Sequence, residues 1–249
     1  MRSNPKLVSL ATYLAILLFN AYALGLYANG QLTLYIHPRY VLFTAVLNAV
    51  SLLVCGAGFV LAARQPNPAG VRVSWRPSFT LVVAALVLVA AYALPARTLS
   101  SETADQRSDN LNSSEAPRLE GSPGGTLALF GADTERLTIP DWVSALNGET
   151  DPDFYEGKKV DVVGFVFHPR GAPEDVFYVS RFRVTCCAVD AQPLGMPVRS
   201  PGWKDEFEAD DWVRVTGGFA ESDGEVSEPV FVAPKDIQRV EQPEDPYVT

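Results

Sequence analysis

Arg181-Phe182-Arg183-Val184-Thr185-Cys186-Cys187-Ala188-Val189-Asp190-Ala191-Gln192-Pro193-Leu194-Gly195 reads as a strand that crosses two adjacent cysteines and enters a turn. Its first half is β-branched and aromatic, which favours a pleated, half-buried surface. Asp190, Pro193 and Gly195 then break the strand. Side chains alternate across a strand, so only one of the paired cysteines is expected to enter a core. The other requires a separate explanation.

Working outward, the chain divides sharply by charge. Residues 1–100 contain no Asp or Glu and carry only Arg2, Lys6, Arg39, Arg64, Arg72, Arg76 and Arg97. All 29 acidic residues lie beyond, against the other 13 of the 20 Lys and Arg, a net charge of −16. Such asymmetry indicates two parts built for two environments. An acidic second half carries the wrong sign for phosphate backbones, so nucleic acid is excluded as a partner. The 3 cysteines, one at Cys55 and two adjacent, do not form a disulfide framework.

Three apolar runs fill the first half, at residues 7–27, 41–63 and 79–94. Each is long enough for a helix across a bilayer, the third with Arg76 and Arg97 snorkelling at its ends. Tyr22, Tyr27, Tyr35, Tyr40, Trp75 and Tyr92 stand near the expected interfaces. A cleaved signal peptide is the rival reading of the first run, with Ala21-Tyr22-Ala23 as its cleavage site. Arg2, Lys6 and the Arg64–Arg76 loop place the N-terminus in the cytoplasm and, after three crossings, the C-terminal half outside. No acidic residue or Lys interrupts a span, whereas ion paths use intramembrane charge. The runs therefore suit an anchor or a subunit packed on a larger partner, and Ala84-Ala85 and Ala90-Ala91 allow close helix contact.

Residues 98–125 are rich in Ser, Asn, Glu, Asp, Gly and Pro, a composition expected of a flexible, disordered linker. Within it Asn112-Ser113-Ser114 matches a glycosylation sequon. In residues 126–249, Leu137–Gly148 predicts one short helix capped by Thr138. Strands follow at Lys159–Phe167, Val176–Cys187, Gln192–Val198, Trp212–Phe219 and Val230–Val240, with a bulge or bend expected at Gly164. Five short strands predict a closed barrel of the OB type, with a small sandwich as the alternative. The fold class is thus an α+β membrane protein: three transmembrane helices (residues 1–97), a disordered linker (98–125) and an all-β OB-like domain (126–249).

Cys186 and Cys187 admit three readings: metal ligands, a redox pair, or small packing residues. As ligands they would draw on His168 and Asp190, a set suited to zinc or a softer metal ion. A vicinal disulfide would close a strained ring. Cysteine catalysis needs a positioned base, and His168 is the only histidine in this half, so no enzyme is expected. Arg181 and Arg183 share a strand face and could meet an anion or a partner's acidic loop. The acidic run Asp205–Asp211 lacks the Gly-turn spacing of calcium loops and reads as a solvated connection.

Three helices, a polar linker and a barrel carrying Arg-Phe-x-Val-Thr-Cys-Cys-Ala-x-Asp-Ala-Gln-Pro resemble a bacterial family of two-component permease subunits whose C-terminal part is a domain of unknown function. The ending Glu244-Asp245-Pro246-Tyr247-Val248 is similar to the Pro-Tyr-Val ending of its members. The resemblance implies a non-enzymatic membrane subunit working beside a larger multi-helix permease in the lipid bilayer. Some relatives carry a His-rich loop between the second and third helices, which implies metal. Here that loop, Gln65–Ser74, holds no histidine. A metal- or redox-sensing membrane protein using the cysteine pair is the alternative function.

Overall fold

The structure, a computed structural model, describes residues 5–66, 76–94, 96–107, 111, 134–224 and 226–248. The chain forms two compact units, Met1–Arg97 and Thr98–Thr249.

The first unit contains helices α1 (Pro5–Ala28), α2 (Pro38–Arg64) and α3 (Arg76–Ala93). Pro38 occupies the first turn of α2, where a missing N–H costs nothing, and His37 Nδ1 accepts from Arg39 N at 3.0 Å. The α1–α2 pair is antiparallel. Lys6 Nζ, at the start of α1, donates to the Ala63 and Gln65 carbonyls at the end of α2 at 2.9 and 2.7 Å. A cation there satisfies carbonyls that have no intrahelical donor. A Cβ on Gly58 would stand 2.8 Å from the Tyr13 ring, so the missing side chain is what lets the two helices meet at that point. α3 joins them through Tyr92, whose Oη donates to the Leu18 carbonyl at 3.1 Å.

Two of these helices, Lys6–Ala28 and Pro38–Arg64, are long and apolar enough to cross a membrane. The apolar part of the third, Phe79–Ala93, is shorter than that standard. Trp75 and Arg72, used in the interface and orientation readings, lie outside the described residues.

The second unit is a closed barrel of β1 (Lys159–Phe167), β2 (Val176–Arg183), β3 (Gln192–Arg199), β4 (Trp212–Glu221) and β5 (Val230–Arg239). Neighbours run β1-β4-β5-β3-β2, and β1–β2 pairing closes the ring. All pairs are antiparallel except β3–β5, which meet in parallel at Val198 and Val232. This closed five-strand barrel fits the OB-like expectation. Val160, Val162, Val166, Phe177, Val179, Met196, Val213 and Val215 fill its interior. One helix, α5 (Ile139–Gly148), adds Ile139, Trp142, Val143 and Leu146 to the same core. A Thr138–Asp141 capping box fixes its start.

Three details depart from the sequence reading. The bulge lies between Thr216 and Gly217, where a Cβ on Gly217 would fall 2.3 Å from the Ala233 carbonyl oxygen. Gly164 instead stays in register with Val213 and lets β2 approach, since its Cβ would meet Ser180 O at 2.5 Å. A sixth strand, β6 (Tyr247–Val248), pairs in parallel with Phe182 and Arg183.

The third departure lies in the stretch read as a linker. Ser101–Gln106 forms a helix, α4, with Ala104 fully buried among Phe165, Phe167, Tyr178 and Phe182 on the barrel's outer face. Leu99 packs on the same cluster, and its N–H donates to Tyr247 Oη at 3.0 Å. Polar composition concealed this, because two small apolar contacts and backbone hydrogen bonds suffice to dock so short a segment. Residues 108–110 and 112–125, the sequon included, lie outside the described residues.

A fragment starting at Thr98 should therefore be more stable than one starting at Gly125. The difference expected from losing a cover of roughly leucine size is about 2 kcal/mol. Urea denaturation followed by tryptophan fluorescence measures it, and equal midpoints would show that α4 contributes nothing.

Candidate functional site

The cysteine turn connects β2 to β3 and is built around one carboxylate. β2 ends at Arg183, four residues before the predicted end at Cys187. Val184 is buried, and its N–H donates to the Val248 carbonyl at 3.1 Å. Beyond it, Asp190 folds back over the turn. Asp190 Oδ1 accepts from Thr185 N at 3.1 Å and Oδ2 from Cys186 N at 2.7 Å, while Asp190 N donates to Cys187 O at 3.0 Å. These N–H groups are the ones a continuing strand would offer to its neighbours, so the side chain ends the strand by capturing them.

Both cysteines consequently stand outside the core. Cys186 is exposed, Cys187 is half-exposed, and both are free thiols. Their Sγ atoms lie 3.5 Å apart. Val189, at the tip, is 83% exposed, and among the described residues beyond Arg97 it is the one large apolar side chain left in solvent. The turn's base is pinned by Arg183 Nη2 donating to Gln192 Oε1 at 3.1 Å and by Arg107 donating to the Ala191 carbonyl.

The electrostatics follow from this geometry. Hydrogen bonding to the Asp190 carboxylate, then to Cys187, pushes the Cys186 thiol up to about 12. Burial alone would raise the Asp190 carboxyl. Bonds from the Cys186 thiol and from the Cys186, Thr185 and Cys187 N–H groups outweigh it and hold the carboxyl below its ordinary value.

The other residues singled out in the sequence lie elsewhere. His168 follows β1 beside the start of β2, with Nδ1 2.9 Å from Val176 O and its ring 5.6 Å from that of Trp203. The cysteines follow the far end of β2, roughly 25 Å of strand away. Among the described residues no three His, Cys, Asp or Glu side chains are gathered so as to hold a metal ion. Arg181 does not face outward. Its Nε donates to Val163 O at 2.9 Å and its Nη1 to Asp245 O at 3.3 Å, and the guanidinium lies 5.4 Å from the Trp212 ring. Arg170 pairs with Asp105. In the acidic run, Asp211 pairs with Arg239 at 2.8 Å, and Trp203 just before the run and Phe207 within it are buried.

As a metal ligand Asp190 would need His168, which stands by the other end of β2; here its carboxylate knots the turn. The Asp four residues after Cys186 was the available signal, as a side chain able to cap backbone N–H groups. The exposure of Val189 had none, because composition does not say which valine a turn leaves outside.

Asp190→Asn should release Cys186. With the negative charge removed, the thiol falls back toward its ordinary 9.0, and alkylation by iodoacetamide at pH 8 should speed up by about tenfold or more. An unchanged rate at Cys186, read by peptide mass, would show that the carboxylate does not govern the thiol.

No curated protein and no solved structure matches the chain. Two family models do, one covering α1 to α4 and the other running from the α5 cap through β6. Residues 12–110 match the DUF1980 N-terminal domain and residues 137–249 the DUF1980 C-terminal domain, so the chain belongs to the DUF1980 family, a family of unknown function.

Proposed function

We propose that this protein is a non-enzymatic integral membrane accessory subunit that holds its OB-like domain outside the cytoplasm, beside a larger multi-helix permease. One observation carries the reading. Among the described residues every exposed large apolar side chain except Val189 lies between Leu7 and Leu94. That belt suits lipid and neighbouring helices, while the barrel unit keeps its own apolar groups covered. Lys6 and Arg64 lie at the same end of the α1–α2 pair, which supports a cytoplasmic N-terminus under the positive-inside rule. The acidic second unit suits an aqueous compartment. Val189, on the turn between β2 and β3, is a natural first contact for a partner.

The alternative is a metal- or redox-sensing membrane protein. The observation that favours it is the exposed, adjacent thiol pair. A zinc site would need further ligands brought by a partner or by residues outside those described.

Two measurements test the subunit reading. The tagged chain, extracted from native membranes in mild detergent, should bring down one multi-helix membrane protein in fixed ratio, and Val189→Asp should weaken that recovery. Isolation of the chain alone would count against it. For orientation, Glu208→Cys in a chain with Cys55→Ala, Cys186→Ser and Cys187→Ser should react with a membrane-impermeant maleimide in intact cells. Reaction only after permeabilisation would put the barrel inside.

A further inference from the structure

We propose that Cys186 and Cys187 form a reversible dithiol–disulfide pair, a redox-modification site whose substrate is a disulfide-bearing oxidant. The two sulfurs already lie 3.5 Å apart on an exposed turn, and a bond requires them to close to about 2 Å. Neither thiol is in the core, so closure displaces no packed side chain. The arrangement disfavours a metal as the natural occupant. Among the described residues only two soft donors converge there, and the one carboxylate beside them is already engaged by two N–H groups.

The geometry also orders the steps. Cys186 Sγ donates to Cys187 Sγ across 3.5 Å and is hydrogen-bonded to the Asp190 carboxylate, so Cys187 is the sulfur that attacks. The Cys187 thiolate displaces one sulfur of the oxidant's disulfide and leaves a mixed disulfide on Cys187. Cys186 then loses its proton and attacks the Cys187 sulfur, expelling the second thiol. Two protein thiols are oxidised by two electrons, the oxidant's disulfide is reduced to two thiols, and the two protein protons end on them. Adjacent cysteines close a strained ring, and strained, exposed disulfides are the easily reduced ones. The pair is therefore suited to switching rather than to stapling. Closure removes the Cys186 thiol from Asp190 and alters the turn that presents Val189. The inference stands apart from the subunit reading and survives that reading's failure.

The test uses the full chain in detergent micelles, equilibrated over mixtures of reduced and oxidised glutathione, acid-quenched, alkylated and digested with trypsin. Residues 184–199 form one tryptic peptide carrying both cysteines, and Cys55 falls on another as an internal control. The expected result is a passage of this peptide from two alkyl groups to none, with loss of two hydrogens, reversed by excess reduced glutathione. Cys186→Ser should stop at a glutathione adduct on Cys187. The proposal is overturned if the parent peptide keeps two alkylatable thiols in the most oxidising mixture. It is equally overturned if oxidation ends in two glutathione adducts or in cross-linked chains.

Discussion

The barrel closes along a seam that its five strands do not fill. β1 and β2 share three paired positions, Phe165–Phe167 against Ser180–Tyr178, and then part. β1 also carries seven positions of pairing with β4, and Gly164, beside the join, lets the β2 backbone come close. Below the join the edge of β2 would be bare. Arg181 and the C-terminal segment occupy the gap. The guanidinium bridges a β1 carbonyl and the Asp245 carbonyl, and β6 takes over as the neighbour of Phe182 and Arg183. Burial works against the Arg181 charge and lowers its pKa, yet an arginine stays protonated under any such shift. Each carbonyl it serves would cost about 1–3 kcal/mol if buried without a donor.

The cysteine turn inherits its order from this closure. Val184 is fixed on one side by Val248, and Ala191 on the other by Arg107. With both stems held, the turn has six residues to arrange, and Asp190 arranges them. The outer cluster that supports the stems draws on Leu99 and Ala104 from one end of the unit and Tyr247 from the other. Residues far apart in sequence thus converge on one short turn, the feature that most distinguishes this chain chemically.

Much of the barrel was legible in sequence. Lys159–Phe167 was read with its observed bounds, and the other strands within a few residues, because half-buried strands show apolar alternation and end at Gly, Pro or Asp. The α5 start was legible because a capping box is a local device. What failed depended on tertiary partners. β6 has two residues, too few for any period, and exists only because β2 has a vacant edge. α4 buries one alanine, Ala104, which polar composition masks. Arg181 and Arg183 were matched by strand period, but period cannot tell a solvent face from a seam. His168 and the cysteines looked like neighbours only while strand direction was unassigned. Two of the three apolar runs form helices long and apolar enough to cross a membrane, and the third contains the shorter apolar helical stretch Phe79–Ala93.

At the turn, one carboxylate controls both order and reactivity. Asp190 is stabilised as the anion by the N–H groups it gathers, so its folded pKa lies below the unfolded one. The sign follows from that. Its contribution is complete above the ordinary carboxylate value of 3.8 and is lost as the pH falls through the folded value. Over the neutral range the knot is therefore tied, and while it is tied Cys186 is kept as a thiol. In the dithiol pair proposed above, Cys187 is the entry point for a disulfide and Cys186 stands 3.5 Å beside it. Holding the second sulfur within 3.5 Å of the first makes the second step of that proposal intramolecular. The same residue that ends the strand thereby holds both sulfurs outside the core.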